Sequence, residues 1–193
     1  MSRYRTRSWR GFDPAARAAA PPALSVRILG LDPGSRRTGF GVIECRGSEL
    51  ASVAFGCLNV TAAAPMARLR LIFEGLQALM NEHQPAEVAI ERVFVNRNAD
   101  SALKLGQARG AALCALPRGM PVFEYAPRAI KLAVVGSGAA EKFQVAQMIR
   151  ALLALSEAPV ADAADALAVA VCHAHARAIG VFARGSVLRR TRA

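Results

Sequence analysis

The sequence has few acidic residues for its length. Its 193 residues include 14 Asp and Glu against 25 Lys and Arg, which gives a formal net charge of +11. Residues 1–27 hold six Arg and one Asp, a net charge of +5, so residues 28–193 still carry +6. This excess of positive charge disfavours an acidic or neutral small molecule as the main partner and favours a polyanion.

Cysteine and long apolar runs are also scarce. The four cysteines form no Cys-x-x-Cys pair, which argues against a zinc ribbon or a disulfide framework and is typical of a reducing cytoplasm. No apolar run reaches the roughly 18 uncharged residues that a membrane-spanning helix needs, because Asp162 and Asp165 interrupt the richest candidate. We therefore expect a soluble, cytoplasmic protein without a membrane span.

The two ends of the chain differ from its middle. Residues 1–25 are rich in Arg, poor in acids and lack the apolar core of a secretory signal, so we interpret them as a disordered basic extension. A start codon assigned too early and an organellar targeting sequence are the alternatives. Residues 26–178 are predicted to form one domain, and residues 179–193 a basic C-terminal tail.

The apolar pattern predicts an α/β domain. Three strand-like runs joined by short turns open it, at 26–31, 38–45 and 51–60, and predict an antiparallel meander. The elements predicted next are a helix from Pro65 to near His83, a buried strand at 87–93, a helix from Asn98 or Asp100 to about Leu116, a strand at 122–125, and helices at about 139–155 and 162–178. Together they predict a mixed five-stranded sheet flanked by helices.

Two acidic residues stand at the ends of predicted strands. Asp32 follows the first strand, and Glu91 follows the buried run Val88-Ala89-Ile90 of the fourth. Chemistry in such sheets gathers at the carboxyl ends of parallel strands. If the first and fourth strands are neighbours, which a right-handed crossover through the first helix allows, the two carboxylates meet. A plain surface acid is the alternative for Glu91.

Two further acids, Asp162 and Asp165, lie three residues apart at the start of the last predicted helix and therefore on one face. They could cap the helix and favour its dipole, or join the first two acids, and the spacing alone leaves both interpretations open. A cluster of acids repels itself unless a cation neutralises it, and Mg²⁺ prefers carboxylate and water oxygens. Two such ions about 3.5–4 Å apart stabilise the attacking and leaving oxygens of a phosphodiester displacement.

Several motifs of this chain resemble those of RuvC-type Holliday-junction resolvases. They occur in the family's order and cover about residues 26–175. The motifs are LGLDPGS at 29–35, TGFGVI at 38–43, IERVF at 90–94, NADSALKLGQARG at 98–110, VVG at 134–136, AEK at 140–142 and DAADALA at 162–168. The departures are small, since Arg92 stands where the family often has Gln and Arg97 where Lys is common.

The resemblance implies an RNase H-like nuclease domain and a homodimer that makes paired, symmetric nicks in four-way DNA junctions during recombination and repair. It implies a Mg²⁺-dependent endonuclease with two metal ions per active site, Mn²⁺ as an alternative ion, and 5′-phosphate products. A branch-migration motor of the RuvA and RuvB type is the further partner implied. The family's four catalytic and metal-binding carboxylates fall on Asp32, Glu91, Asp162 and Asp165, and none is missing.

The resemblance also implies contacts with DNA. Phe94 matches an aromatic residue that stacks on bases near the crossover, which is worth roughly 1–3 kcal/mol per base, while a core Phe is the alternative. Lys131 and Lys142 match basic positions near the scissile phosphate, although a Lys on a helix is usually solvated surface. The candidates for positioning the phosphate backbone are Arg97, Lys104 and Arg109.

Two smaller patterns complete the set. Small residues recur every four positions on the helix after Glu91, which lets another backbone approach closely. We expect this helix to contribute to both sheet packing and the dimer, with packing inside one subunit as the alternative. The stripe consists of Ala102, Gly106, Gly110 and Cys114. His173 and His175 are two residues apart and face different directions on a helix, so we expect ordinary packing rather than a shared metal site.

Two other classes of function share some of these features. A phosphotransferase of the actin or sugar-kinase type has a similar Asp-x-Gly turn, but it needs two such domains to enclose ATP. A junction-binding architectural protein requires a broken carboxylate set, and this set is intact. The sequence therefore favours a structure-selective endonuclease over both.

Overall fold

The computed structural model describes residues 25–61, 63–93 and 98–190, with the backbone alone for 181–190. Nearly all of the predicted basic extension 1–25, and the candidate DNA contacts Phe94 and Arg97, lie outside the described residues. The elements are β1 Val26–Pro33, β2 Arg37–Arg46, β3 Glu49–Asn59, α1 Pro65–His83, β4 Glu87–Glu91, α2 Ala99–Cys114, β5 Val122–Tyr125, α3 Pro127–Val135, α4 Lys142–Leu152 and α5 Ala161–Arg190. None of the helices within these ranges is long and apolar enough to cross a membrane.

The five strands form one mixed sheet in the order β3-β2-β1-β4-β5. The first three strands pair antiparallel, with Gly30 of β1 opposite Gly41 of β2. Strand β4 lies parallel to β1, with Gly30 beside Ala89, and β5 lies parallel to β4. The predicted meander and the predicted contact between the first and fourth strands are both confirmed.

Helices cover the sheet on both faces. Alternate residues of one strand point to opposite faces, so Ile28 packs with α3, α4 and α5, whereas Leu29 and Leu31 pack with α1 and α2. On the second face, α1 contributes Ile72, Leu76 and Met80, the single apolar face that its sequence spacing predicted. The result is a three-layer arrangement with the sheet in the middle.

Helix α5 lies unusually close to β1 and β2. A Cβ atom added at Gly30 would stand 2.1 Å from the backbone oxygen of Ala166, and one at Gly39 would stand 2.0 Å from the backbone oxygen of Asp162. Only glycine permits helix and strand backbones to approach this closely. The two glycines therefore set where the first turn of α5, and with it Asp162, meets the sheet.

Two helices differ from the sequence prediction. Helix α3 was not predicted, because only Ile130 and Val134 of its nine residues are buried and the Pro that begins it is also typical of a loop. Helix α5 continues to Arg190, twelve residues beyond the predicted end at Ala178, so the predicted basic tail begins inside the helix. Helix α4 begins at Lys142, later than the predicted start at about residue 139.

Candidate active site

Asp32 and Glu91 lie side by side at one edge of the sheet. Leu31 of β1 pairs with Ile90 of β4, so the acidic residue that follows each of them occupies the same position on neighbouring parallel strands. Both carboxylate-bearing residues line one cavity, together with Pro33 and Gly34 of the turn after β1. The predicted meeting of these two residues is therefore found in the fold.

The start of α5 brings the other two acids to the same edge. Asp32 pairs with Gly39 of β2, and the backbone of Asp162 packs directly against that glycine. Asp165, one turn further along, lines a second cavity with Glu91. Glu91 thus borders both cavities, and Asp32, Glu91 and Asp165 line one groove at the carboxyl ends of β1 and β4, whereas Asp162 lies at its edge and lines neither cavity.

The acids of this groove interact electrostatically. The pKa of Asp32 is raised from 3.8 to about 7, first by burial and then by the negative charges of Glu91, Asp165 and, more weakly, Asp162. Burial and the charge of Asp165 also raise the pKa of Glu91. The neighbouring negative charges make Asp32 and Glu91 harder to ionise, so the groove favours a proton or a cation beside these two side chains.

Each aspartate of α5 has one oxygen engaged by a donor. Lys142 donates from Nζ to Oδ2 of Asp165 at 3.0 Å. The thiol of Cys57 donates to Oδ2 of Asp162 at 3.7 Å, and the Arg37 guanidinium lies 3.7 Å from the same oxygen. The contacts of Arg37 and Cys57 were not predicted, because only the pairing of Gly39 with Cys57 across β2 and β3 brings the thiol there.

Two lysines stand at the groove. Lys131 and Lys142 line the cavity that Glu91 and Asp165 border, and both lower the pKa of Glu91 against the larger effect of burial. The hydrogen bond to Asp165 raises the pKa of Lys142, so this side chain is cationic at neutral pH. The structure therefore places both lysines beside Glu91 and Asp165.

The donor set fits a hard divalent cation in its chemistry. All four candidate ligands are carboxylates, the oxygen ligands that Mg²⁺ and Mn²⁺ accept, and their mutual repulsion is what a bound cation relieves. Within residues 25–61, 63–93 and 98–190, no three His, Cys, Asp or Glu side chains are already arranged around one metal position. Coordination of one ion by three of the acids would therefore require their side chains to rotate toward it.

Other candidate residues lie elsewhere. Lys104 pairs with Asp100 at 2.6 Å on the exposed side of α2 and lines neither cavity. Arg109 was expected to contact phosphate, but its guanidinium points inward and donates to the backbone oxygen of Glu91 and to Glu124. Its side chain is 14% exposed, so it is not a surface contact for DNA.

The histidines of α5 are packing residues, as predicted. His173 is buried between Glu87, 2.8 Å from its Nε2, and the Tyr125 hydroxyl, 2.7 Å from its Nδ1. His175 lies against the backbone oxygen of Ala133 instead. The two side chains therefore face different neighbours, and they do not form a joint metal site.

The small-residue stripe of α2 does not pack on the sheet. The buried side chains of α2 are Ala108 and Ala112, whereas a Cβ added at Gly106 or Gly110 would meet nothing within 4 Å. Positions two residues apart point to opposite sides of a helix. The expected packing of α2 on the sheet is confirmed, but Ala108 and Ala112 provide it, and within the described residues the two glycines of the stripe are uncovered.

The chain is similar to known nucleases along most of its length. The family model "Crossover junction endodeoxyribonuclease RuvC" matches residues 28–173. Proteins of that description from Halorhodospira halophila and Shewanella amazonensis are each 55% identical, over 167 residues (86% of this chain and 99% of the relative) and over 149 residues (77% and 86%) respectively. A solved structure, "T. thermophilus RuvC in complex with Holliday junction substrate", aligns with a TM-score of 0.75 and 33% identity over 80% of this chain and 96% of that chain.

Proposed function

The chain belongs to the RuvC family of crossover junction endodeoxyribonucleases, and on that premise we propose that Asp32, Glu91, Asp162 and Asp165 are its catalytic, metal-binding residues. It has the RNase H-like fold of that family and is a Holliday-junction resolvase, an endonuclease of DNA recombination and repair. The observation that supports the assignment most is the strand register, which sets Asp32 beside Glu91 and pairs Asp32 with Gly39, against which the Asp162 backbone packs. Because the chain belongs to this nuclease family, the kinase-like and architectural alternatives are no longer supported.

Membership of this nuclease family implies dependence on a divalent metal ion. The ion we propose is Mg²⁺, two per active site, with Mn²⁺ able to replace it; the all-carboxylate groove supports this choice. When bound, the ions would supply an activated water for attack on phosphorus and neutralise charge on the departing 3′ oxygen; the bond between phosphorus and that oxygen breaks, which leaves a 5′-phosphate and a 3′-hydroxyl. Asp32, Glu91, Asp162 and Asp165 would hold the ions.

The protein's own cations act on the phosphate. Lys142 is cationic and its Nζ lies at the rim of the groove, where it would stabilise negative charge that develops on the scissile phosphate. Lys131 lines the same cavity and would act in the same way from α3. The engaged oxygen of Asp165 holds Lys142 in this place, so the ion pair orients both partners before DNA arrives.

Further contacts would hold the junction. Phe94 follows Glu91 by three residues, which supports a role in stacking on an unpaired base beside the cut. Arg97 and Lys104 lie between Glu91 and the middle of α2, and we propose that they contact the phosphate backbone. Contacts to phosphate carry most of the affinity for DNA, so binding should survive the loss of a single catalytic carboxylate.

Two symmetric cuts require two active sites, which supports a homodimer as the working form. The uncovered face of α2 is the surface proposed for it, because Leu103 is 63% exposed and Gly106 and Gly110 leave room for a second backbone. Light scattering at micromolar concentration should report a dimer, and a monomer there would contradict this part. A branch-migration motor of the RuvA and RuvB type and a cytoplasmic location are further proposals that follow from the family.

A synthetic mobile four-way junction tests the function directly. The purified protein should make paired, symmetric nicks with Mg²⁺ and none in EDTA. Glu91→Gln and Asp32→Asn should abolish cutting but keep junction binding, while Glu74→Gln, at an exposed acid of α1, should change neither. Parallel loss of binding and cutting in the first two variants would speak against the assigned site.

A further inference from the structure

Arg109 is a half-buried cation on the inner side of α2. Its side chain is 14% exposed, and both arms of its guanidinium are engaged. Nη1 donates to the backbone oxygen of Glu91 at 2.6 Å, and Nη2 donates to Oε1 of Glu124 at 2.5 Å. An arginine with little exposure is rarely found without hydrogen-bond acceptors for its guanidinium. Because two acceptors are present here, the side chain occupies a defined position.

The guanidinium joins three elements at the place where β4 ends. Glu91 is the last residue of β4, and Glu124 of β5 lies beside Ile90 in the parallel pairing. The other carboxylate oxygen of Glu124 is 3.8 Å from Nε of Arg92. Arg109 therefore ties α2 to the backbone of one candidate ligand and to the carboxylate of the neighbouring strand.

We infer that Arg109 is a positioning residue that fixes the backbone of Glu91 and thereby aims its carboxylate into the groove. The inference rests on the proposed function, in which Glu91 binds metal. Arg109 lines neither cavity of the groove, so it acts through its contacts with Glu91 and Glu124. An arginine suits this task because its planar fork donates along two fixed directions at once, whereas a lysine ammonium carries no such fork.

The prediction concerns Arg109→Lys, which keeps the charge and removes the fork. Partners that orient a metal ligand typically contribute about 10–100-fold to metal affinity or activity, so we expect the dissociation constant for Mn²⁺ to rise about tenfold. Titration of Mn²⁺ followed by electron paramagnetic resonance measures this in the full-length protein without any reaction. Cutting at saturating junction should fall by a similar factor at low Mn²⁺, with junction affinity in EDTA unchanged.

Arg27→Lys is the matched control. Arg27 also donates to a backbone oxygen, that of His83, at 2.9 Å. It lies at the opposite end of β1 from Asp32, roughly 16 Å away at about 3.3 Å per residue. The control should lower the melting temperature without changing the affinity for Mn²⁺, which separates a general loss of stability from loss of positioning.

The outcomes distinguish the positioning role of Arg109 from the assignment of Glu91 to the metal site. Equal Mn²⁺ affinities of Arg109→Lys and Arg27→Lys would overturn the positioning role, provided that Glu91→Gln has lost Mn²⁺ binding and cutting. If Glu91→Gln keeps both, the assigned metal site itself is wrong. If Arg109→Lys fails to fold, Glu124→Gln replaces it in the test, because this variant weakens only one of the two hydrogen bonds of the guanidinium. A rise of about threefold in the dissociation constant for Mn²⁺ would support the inference, and an unchanged constant would refute it.

Discussion

Replacing Asp32 with Asn should stabilise the metal-free protein even though it abolishes cutting. Asp32 sits half-buried at the end of β1, and its pKa is raised from 3.8 to about 7 by burial and by the neighbouring carboxylates. A group whose charged form is disfavoured in the folded state lowers the stability of that state whenever it must ionise. Asn has the same shape and no charge, so it removes this cost.

The sign and size follow from the two pKa values. Between 3.8 and about 7 the folded protein keeps the proton of Asp32 while the unfolded chain has lost it. The free energy of unfolding therefore falls as the pH rises through this window and is constant above it. One pKa unit corresponds to about 1.4 kcal/mol, so a shift of about three units amounts to ~4 kcal/mol at pH above 7.

Urea denaturation in EDTA between about pH 4 and pH 8 measures the effect. Asp32→Asn and wild type should be nearly equally stable near pH 4, and the variant should be more stable by ~3–4 kcal/mol near pH 8. Added Mg²⁺ should narrow the difference, because it stabilises the ionised site only in the wild type. A difference that does not change with pH, or a variant less stable at pH 8, would refute the reasoning.

Two further substitutions test how α5 is held. Gly39→Ala places a Cβ against the backbone oxygen of Asp162. Calorimetry should therefore show that the free energy of unfolding falls by about 2–3 kcal/mol, and junction cutting should disappear. Gly180→Ala is the control, because open space surrounds Gly180, and it should leave stability unchanged or raise it. Glu87→Gln should cost about 1–3 kcal/mol at pH 7, because the Glu87 carboxylate binds the buried His173. Hydrogen bonds to the carboxylate lower the pKa of Glu87, against the effect of its burial. Its extra stability is therefore present above pH 4.5 and disappears as the pH falls through the lowered value. A difference between variant and wild type that does not shrink at all as the pH falls below 4.5 would contradict this account.

Most of the sheet was predictable because its signals are local. The turns between the first three runs are too short for anything but antiparallel pairing, and α1 carries one apolar face long enough to identify. A right-handed crossover allowed the first and fourth strands to be neighbours, and their pairing in the fold is what brings Asp32 and Glu91 together. Helix α3 was missed because a helix of nine residues with two buried side chains gives little periodicity.

The contacts of single side chains were less predictable. Arg109 and Lys104 both looked like phosphate ligands, yet one is directed inward and the other outward on the same helix. The face of α2 that meets the sheet depends on how the helix is rotated against β1 and β4, and two nearly apolar faces made that rotation ambiguous. Cys57 gave no signal, since its contact with Asp162 spans 105 residues of sequence.

By itself the sequence determined the order of the elements except α3, the excess of positive charge and the four acids, because periodicity, composition and motifs are properties of the chain alone. The tertiary structure decided which carboxylate oxygen of Asp162 and of Asp165 accepts a hydrogen bond, and that Arg109 donates to the backbone oxygen of Glu91. It also decided how far the pKa of Asp32 rises. Those properties depend on distances and burial between residues far apart in sequence, since Coulomb interactions and desolvation exist only once the chain has folded.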